Sequence, residues 1–212
     1  MGASAPFFFM ATSTIATDTE LSAVNSILGA IGQSPITSLN LNNPETSFIY
    51  NILTECIKDV LNEGWHFNTE DHVKVSPDPT TKYIVLPYNV LRYDLSGSED
   101  KSMDLVQRNG RLYDKVAHTD QFDDDLEIDI VYLYTFTDIP SVFQRYIIAK
   151  ASTRAAAQLI TNPQLVQLLQ TQEGLTRASV MDYECNQGDH SFMGFPHESS
   201  YDSYKPFKSL IR

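Results

Sequence analysis

A run of acidic residues is the densest set of chemically reactive side chains in the sequence. The stretch FDDDLEIDIVYLY covers residues 122–134 and places five carboxylates between Asp123 and Asp129. Carboxylates at this density are typical of a Ca²⁺ loop or of acidic catalysts. The Ca²⁺ loop is excluded, because its sixth position needs glycine and holds Ile128, and its twelfth needs a bidentate acid and holds Tyr134.

The same stretch alternates in polarity with the period of a β-strand. Asp125, Glu127 and Asp129 occupy one side, and the aliphatic residues that separate and follow them occupy the other. Successive side chains of a strand point to opposite faces of its sheet. The sequence therefore predicts a half-buried strand with an acidic, solvent-exposed face rather than a cation site.

The remaining reactive residues form no recognisable site. His66 and His72 are six residues apart, which matches no standard zinc spacing, and the two cysteines, Cys56 and Cys185, are far from each other. The sequence contains no G-x-G-x-x-G, phosphate loop, G-x-S-x-G or H-E-x-x-H motif. We therefore predict no catalytic residue, no cofactor and no metal. A glycan hydrolase with paired carboxylates stays open, because its criterion is a distance between carboxyl groups.

The charge balance narrows the classes of partner. The chain carries 27 acidic and 15 basic side chains, a formal net charge of −12. Such a chain is a poor candidate for sequence-specific binding of nucleic acid, which needs a basic surface. It is compatible with a protein that DNA passes without sticking, because like charges repel. The sequence has no run of 18 apolar residues, so we predict no membrane span.

Hydrophobic periodicity divides the chain into helical ends and a β-rich middle. The class predicted is α+β: a helical bundle from residues 18–64 and 138–188, with a small antiparallel β domain inserted at 65–137. Asn-Pro pairs predict the starts of two helices, and an Asn-Gly pair in the middle predicts a tight hairpin turn. Residues 1–17 are predicted to be a flexible extension, and residues 189–212 an extended arm.

The arm has no secondary-structure period but is rich in aromatic residues, which are costly to leave in water. We therefore predict that it becomes ordered on a partner. Its candidate binding residues are Phe192, Phe195, Tyr201, Tyr204 and Phe207.

Five segments, taken in order, resemble the tail tubular protein A family of short-tailed phages of the podovirus and autographivirus type. They are ELSAVNSILGAIGQSPITSL (20–39), GWHFNTE (64–70), RLYDKVAHTDQF (111–122), DIPSVFQRYIIAKASTRAAAQLI (138–160) and MDYECNQGDHSF (181–192). The resemblance extends over nearly the whole chain, but it does not cover the residues after Phe192. It also agrees with the order of helices and strands predicted above.

The resemblance implies a structural virion protein and supplies no catalytic residues. Members of this family are head-to-tail adaptors that form a ring of twelve copies beneath the portal protein. The ring joins the portal to the nozzle protein, tail tubular protein B, and continues the DNA ejection channel. Tail fibres attach near the junction of adaptor and nozzle. We expect this chain in the tail of the virion, after assembly in the cytoplasm of the bacterial host.

The resemblance leads to a hypothesis about the role of each of two features of the sequence. The acidic residues Asp125, Glu127 and Asp129 are candidates for lining the channel, with the outer face of the sheet as the alternative location. The arm at 189–212 is a candidate for binding the portal or an adjacent subunit. The competing functions are a tail-associated glycan hydrolase and a cellular binding module, which would be a stable monomer without affinity for a portal.

Overall fold

The computed structural model describes residues 19–96, 103–160 and 162–187. The predicted α+β class is confirmed, because helices at both ends of this part enclose antiparallel strands in sequence. The elements, in order, are α1 (Glu20–Ala30), α2 (Pro44–Leu61), β1 (Thr69–Val75), β2 (Val90–Leu95), β3 (Leu105–Arg108), β4 (Arg111–Asp114), β5 (Leu126–Tyr132), a 3₁₀ turn (Phe136–Asp138), α3 (Ser141–Leu159) and α4 (Pro163–Gln187). The predicted N-terminal extension and C-terminal arm lie outside the described residues, and the domain boundaries stay a prediction.

Side-chain caps fix the starts of three helices. The Thr19 hydroxyl accepts the backbone N–H of Ser22, whose own hydroxyl accepts the N–H of Thr19, so α1 begins with a reciprocal capping box. The side-chain oxygens of Asn43 and Asn162 accept backbone N–H groups in the first turns of α2 and α4. The two Asn-Pro signals therefore predicted both helix starts correctly.

Helix α3 forms the centre of the helical core and contacts α1, α2 and α4. Its buried face includes Phe143, Tyr146 and Ile147, which are at most 5 % exposed. Further along α3, Ala151 and Ala155 are fully buried, and their small side chains let the neighbouring helices approach closely. The wide apolar stripe of α2 is buried against this core through Ile49, Ile52, Leu53, Cys56, Ile57, Val60 and Leu61.

The β region consists of a three-stranded antiparallel sheet and a separate hairpin. Strand β5 is central, with β1 and β2 at its sides, while β3 pairs only with β4. The predicted turn at Asn109-Gly110 is confirmed, because both residues have positive φ, 52° and 77°. The predicted antiparallel β structure is therefore present, and it is divided between this sheet and the hairpin. The connecting segments, which contain Pro77, Pro79 and Pro87, contribute only isolated β-bridges, since proline lacks the N–H that a ladder needs.

A second hydrophobic core lies between the sheet and the hairpin. It contains the buried residues Ile84, Leu86, Leu112, Phe122, Leu126, Ile128 and Ile130. Three of them belong to β5, so this strand contributes more buried residues to the core of the β region than any other strand. The sheet's position relative to the helices is set by the segment that joins α2 to β1.

That joining segment is held by two buried side chains. The Trp65 ring N–H donates to the Val60 carbonyl at 2.7 Å, which satisfies a carbonyl near the end of α2. The Asn68 amide donates to the carbonyls of Leu61 and Tyr132, both at 2.9 Å, and its oxygen accepts the N–H of Trp65 at 2.8 Å. One side chain thus links the end of α2 to the end of β5.

Candidate functional site

The acidic residues of β5 lie on the face opposite the β core. Leu126, Ile128 and Ile130 are at most 4 % exposed, whereas Glu127 and Asp129 between them are only half-buried. The structure therefore has the two-faced strand that the alternation of the sequence predicts. Asp125 precedes the first residue of β5 and is exposed.

Asp125 forms an ion pair across the sheet with Lys74 of β1. The Lys74 Nζ and an Asp125 carboxylate oxygen are 2.9 Å apart. This hydrogen bond, together with one from the Ser76 side chain, lowers the pKa of Asp125, and the same contact raises the pKa of Lys74. Asp125 therefore adds little net charge to this face, because a lysine balances it.

Glu127 and Asp129 are arranged around His72, which stands at a bulge in β1. The register between β1 and β5 shifts between Glu70 and Val73, and His72 has a φ of 57°. Its backbone N–H donates to Asp129 at 2.9 Å, and its Nδ1 lies 3.9 Å from a Glu127 carboxylate oxygen. The acids are therefore tied into the sheet and do not form a row of independent charges.

His72, Ser96 and Glu127 have the residue types of a nucleophilic triad, but their geometry does not match one. The Ser96 hydroxyl contacts Nδ1 of His72, the same ring nitrogen that faces Glu127. A triad needs one ring nitrogen for the serine and the other for the acid. Ser96 is also only 1 % exposed, so its hydroxyl has no access to a substrate.

One pair of carboxylates, Asp94 and Asp129, faces each other across β2 and β5. Each already accepts a backbone N–H at 2.9 Å, Asp94 from Leu95 and Asp129 from His72. These hydrogen bonds give both carboxylates a structural role within the sheet. In residues 19–96, 103–160 and 162–187, no cluster of three His, Cys, Asp or Glu side chains is arranged to hold a metal ion.

The predicted arm residues Phe192, Phe195, Tyr201, Tyr204 and Phe207 lie outside the described part of the chain. Within that part, no helix is long and apolar enough to cross a membrane.

The outward face of α4 is a candidate surface that sequence reasoning missed. Only Leu169 and Val180 of this 25-residue helix are buried. Leu168 and Leu175 are 57 % and 67 % exposed, and they are seven residues apart, so they lie on one side of the helix. From Pro163 to Met181 the charged residues are Glu173 and Arg177, and both are half-buried. The seven-residue spacing of Leu168 and Leu175 could have indicated this apolar face from the sequence.

A second missed surface is a cleft of about 390 Å³ between the helices and the sheet. Its lining includes the rings of Tyr50, Tyr88 and Tyr134 and the carboxylates of Glu20 and Asp138. Tyr88 is fully exposed beside the turn that leads into β2. No periodicity in the sequence indicates this cleft, because its residues come from segments far apart in the chain.

Comparison with known proteins assigns the chain to a family. The family model described as "Tail tubular protein" matches residues 21–190. Tail tubular protein A of Klebsiella phage KP34 is 31% identical over 121 residues, which are 57% of this chain and 62% of that protein. The match thus spans less than two thirds of the relative's length. The predicted family is confirmed: the chain belongs to the tail tubular proteins, the structural proteins of phage tails.

Proposed function

We propose that this tail protein is the head-to-tail adaptor, a ring of twelve copies that joins the portal protein to the nozzle protein, tail tubular protein B. Its role is structural rather than catalytic. The ring assembles in the host cytoplasm, continues the DNA channel of the virion, and lies next to the attachment site of the tail fibres. Family membership supports this proposal, and the outward face of α4 is the structural observation that carries it.

A closed ring needs two different, complementary surfaces on each protomer. The cores of protein interfaces are depleted of charged residues, as is the outward face of α4. Leu168 and Leu175 have more than half of their surface exposed, and neither belongs to a hydrophobic core of the described residues. A neighbouring subunit that covered them would remove this apolar area from water.

We further propose that the acidic face of β5 lines the channel through Asp125, Glu127 and Asp129. A net charge of −12 per copy, repeated around a ring, would let DNA slide, because few phosphates could be held. The other location for this face is the outside of the ring. Replacement of the three acids with lysine should slow DNA ejection. An unchanged ejection rate would contradict the proposal that these residues line the channel.

The aromatic arm at 189–212 is proposed to bind the portal or an adjacent subunit. Deletion of the arm should abolish attachment to heads that carry a portal and leave the rest of the protein folded. Normal attachment of the truncated protein would contradict this proposed role of the arm.

The adaptor proposal is tested by mixing the purified chain with the portal ring of the same phage and imaging the product by electron microscopy. A second ring of twelve copies stacked on the portal is the expected result. Absence of association, with both proteins folded, would contradict the proposal.

The role of α4 is tested with Leu168→Asp and Leu175→Asp in the same experiment. Val116→Asp is the matched control, because Val116 is 61 % exposed but lies in the β region. The α4 variants should bind the portal as incomplete or no rings, while the control assembles normally. Complete rings of the α4 variants would place the subunit contact elsewhere.

A further inference from the structure

The cleft between the helices and the sheet has a chemistry suited to a basic peptide. Three tyrosine rings, those of Tyr50, Tyr88 and Tyr134, line it. Faces of aromatic rings attract ammonium and guanidinium groups. Glu20 and Asp138 add two carboxylates to the same lining.

Both carboxylates have capacity left for a cation. One Glu20 oxygen accepts the Tyr50 hydroxyl at 3.2 Å, and one Asp138 oxygen accepts the Thr135 hydroxyl at 2.6 Å. Among the described residues, no lysine or arginine forms an ion pair with either carboxylate. Lys58 is the basic residue of the lining, so the cleft keeps a net negative charge.

The floor of the cleft is apolar. Ile57, Leu133 and Phe136 line it beside the tyrosines. Tyr88 at its rim is fully exposed. The fitting ligand therefore combines positive charge with large apolar side chains.

The sequence contains such a segment outside the described residues. Residues 205–212 read KPFKSLIR and carry three of the 15 basic residues of the chain, with no acid among them. Phe207, Leu210 and Ile211 supply apolar side chains between the charges. This concentration of positive charge stands out in a chain of net charge −12.

The segment is within reach of the cleft in the same molecule. The ring of Tyr183, in the last turns of α4, is 5.9 Å from that of Phe143, which is 4.7 Å from Phe67. The ring of Phe67 lies 6.3 Å from that of Tyr134 in the cleft. The residues between α4 and Lys205 can span about 60 Å when extended, at roughly 3.3 Å per residue.

We propose that residues 205–212 bind in the cleft of their own chain, with lysine or arginine near Glu20 and Asp138 and with apolar residues on its floor. This contact goes beyond the adaptor function and does not depend on it: it belongs to the free chain, and residues 205–212 would leave the cleft where the arm binds the portal or an adjacent subunit. It would hold the far end of the arm against the junction of helices and sheet.

Trypsin cleavage after Lys208 tests the proposal in the full-length protein. The bond after Lys205 precedes proline and resists trypsin, so Lys208 gives the informative cut. The synthetic peptide SYKPFKSLIR, added as an isotope-labelled standard, reports the cleavage rate of the unbound sequence. We expect cleavage of the protein at Lys208 to be at least about tenfold slower than that of the peptide; equal rates would overturn the proposal.

Variants show whether the cleft causes this protection. Glu20→Gln combined with Asp138→Asn should speed the cut about fivefold, the change expected when two exposed charge contacts are lost. Tyr88→Ala should also speed it, and because Tyr88 is fully exposed, its removal leaves the core intact. Glu45→Gln is the matched control, since Glu45 is likewise an acid in the first turn of a helix but lies outside the cleft.

Two results would contradict the proposal even if wild-type cleavage is slow. One is protection that the cleft variants leave unchanged or that Glu45→Gln removes equally. The other is protection seen only at concentrations where the protein self-associates, which would place the segment in a neighbouring copy. Circular dichroism confirms that each variant is folded before its cleavage is compared.

Discussion

Asn68 is the side chain whose replacement tests the structure most directly. It is fully buried, and it bonds to the carbonyls of Leu61 and Tyr132 and to the N–H of Trp65. Asn68→Ala would leave the Tyr132 carbonyl and the Trp65 N–H without these bonds in a buried place, while the Leu61 carbonyl still accepts the N–H of Gly64 at 3.2 Å. At about 1–3 kcal/mol for each unsatisfied group, the expected loss is at least about 2 kcal/mol of the free energy of unfolding.

Asn68→Asp keeps the acceptor oxygen of the side chain but removes its donor group, at nearly constant volume. The carboxylate still accepts the N–H of Trp65, but it faces the carbonyls of Leu61 and Tyr132 that the amide had bonded. This repulsion and the burial should raise the pKa of the new carboxyl above about 3.9. A raised pKa in the folded state means that stability is highest below the unfolded-state pKa and is lost as pH rises through the folded-state value.

Urea unfolding followed by tryptophan fluorescence measures both variants. Trp65 is the single tryptophan of the chain, it is 5 % exposed, and it is bonded to Asn68, so its emission reports this junction. Asn51→Ala, at an exposed position of α2, is the control and should change stability by less than about 0.5 kcal/mol. A loss below about 1 kcal/mol for Asn68→Ala, or a deficit of Asn68→Asp that shrinks as pH rises, would refute the reasoning.

Four further substitutions have expected signs. Alanine at Gly64 or Gly32, whose φ values are 78° and 79°, should cost about 1–2 kcal/mol from the left-handed backbone. At Gly64 the atom nearest the added Cβ is Arg92 Nη2 at 2.9 Å, the end of a long side chain that can move away, so urea unfolding should show similar losses at the two positions. A much larger loss at Gly64 would show that the Arg92 side chain is held in place. Gly174→Ala, in α4 with no atom within 4 Å of the new Cβ, should raise the free energy of unfolding by about 0.5–1 kcal/mol, and a lower melting temperature would contradict this. Hydrogen bonds from backbone N–H groups lower the pKa of Asp78, so its carboxylate stabilises the fold above the unfolded-state pKa, and this contribution is lost as pH falls through the folded-state pKa. Asp78→Ala should therefore make the free energy of unfolding fall less steeply at acid pH. An unchanged pH profile would be inconsistent with these hydrogen bonds.

Local signals in the sequence were sufficient for much of the fold. The Asn-Pro pairs at Asn43 and Asn162, the turn at Asn109, and the alternation of β5 each depend on residues a few positions apart. Their physical causes are a capped N–H group, a positive φ and a period of two. The structure has each of these features where the sequence indicated it.

Apart from the outward face of α4, the features that were missed depend on contacts between distant residues. Asn68 bonds to Tyr132, 64 positions away, and Asp129 accepts the N–H of His72, 57 positions away. The bulge that points this N–H at Asp129 is a local shift of register, which hydrophobic alternation does not encode. A single sequence indicated that β5 has an acidic face, but not that a lysine and a histidine would be its partners.

Those partners determine how the channel proposal has to be tested. Lysine at position 125 would face Lys74, and a lysine in place of Asp129 would lose the bond to the N–H of His72, so charge reversal also disturbs the sheet. The neutral set Asp125→Asn, Glu127→Gln and Asp129→Asn keeps an acceptor oxygen at each position and removes only the charge. If the acids act through repulsion of DNA, ejection should slow in the order wild type, neutral set, lysine set. If only the lysine set slows ejection and its free energy of unfolding is lower, the effect comes from the damaged sheet, and the acids do not line the channel.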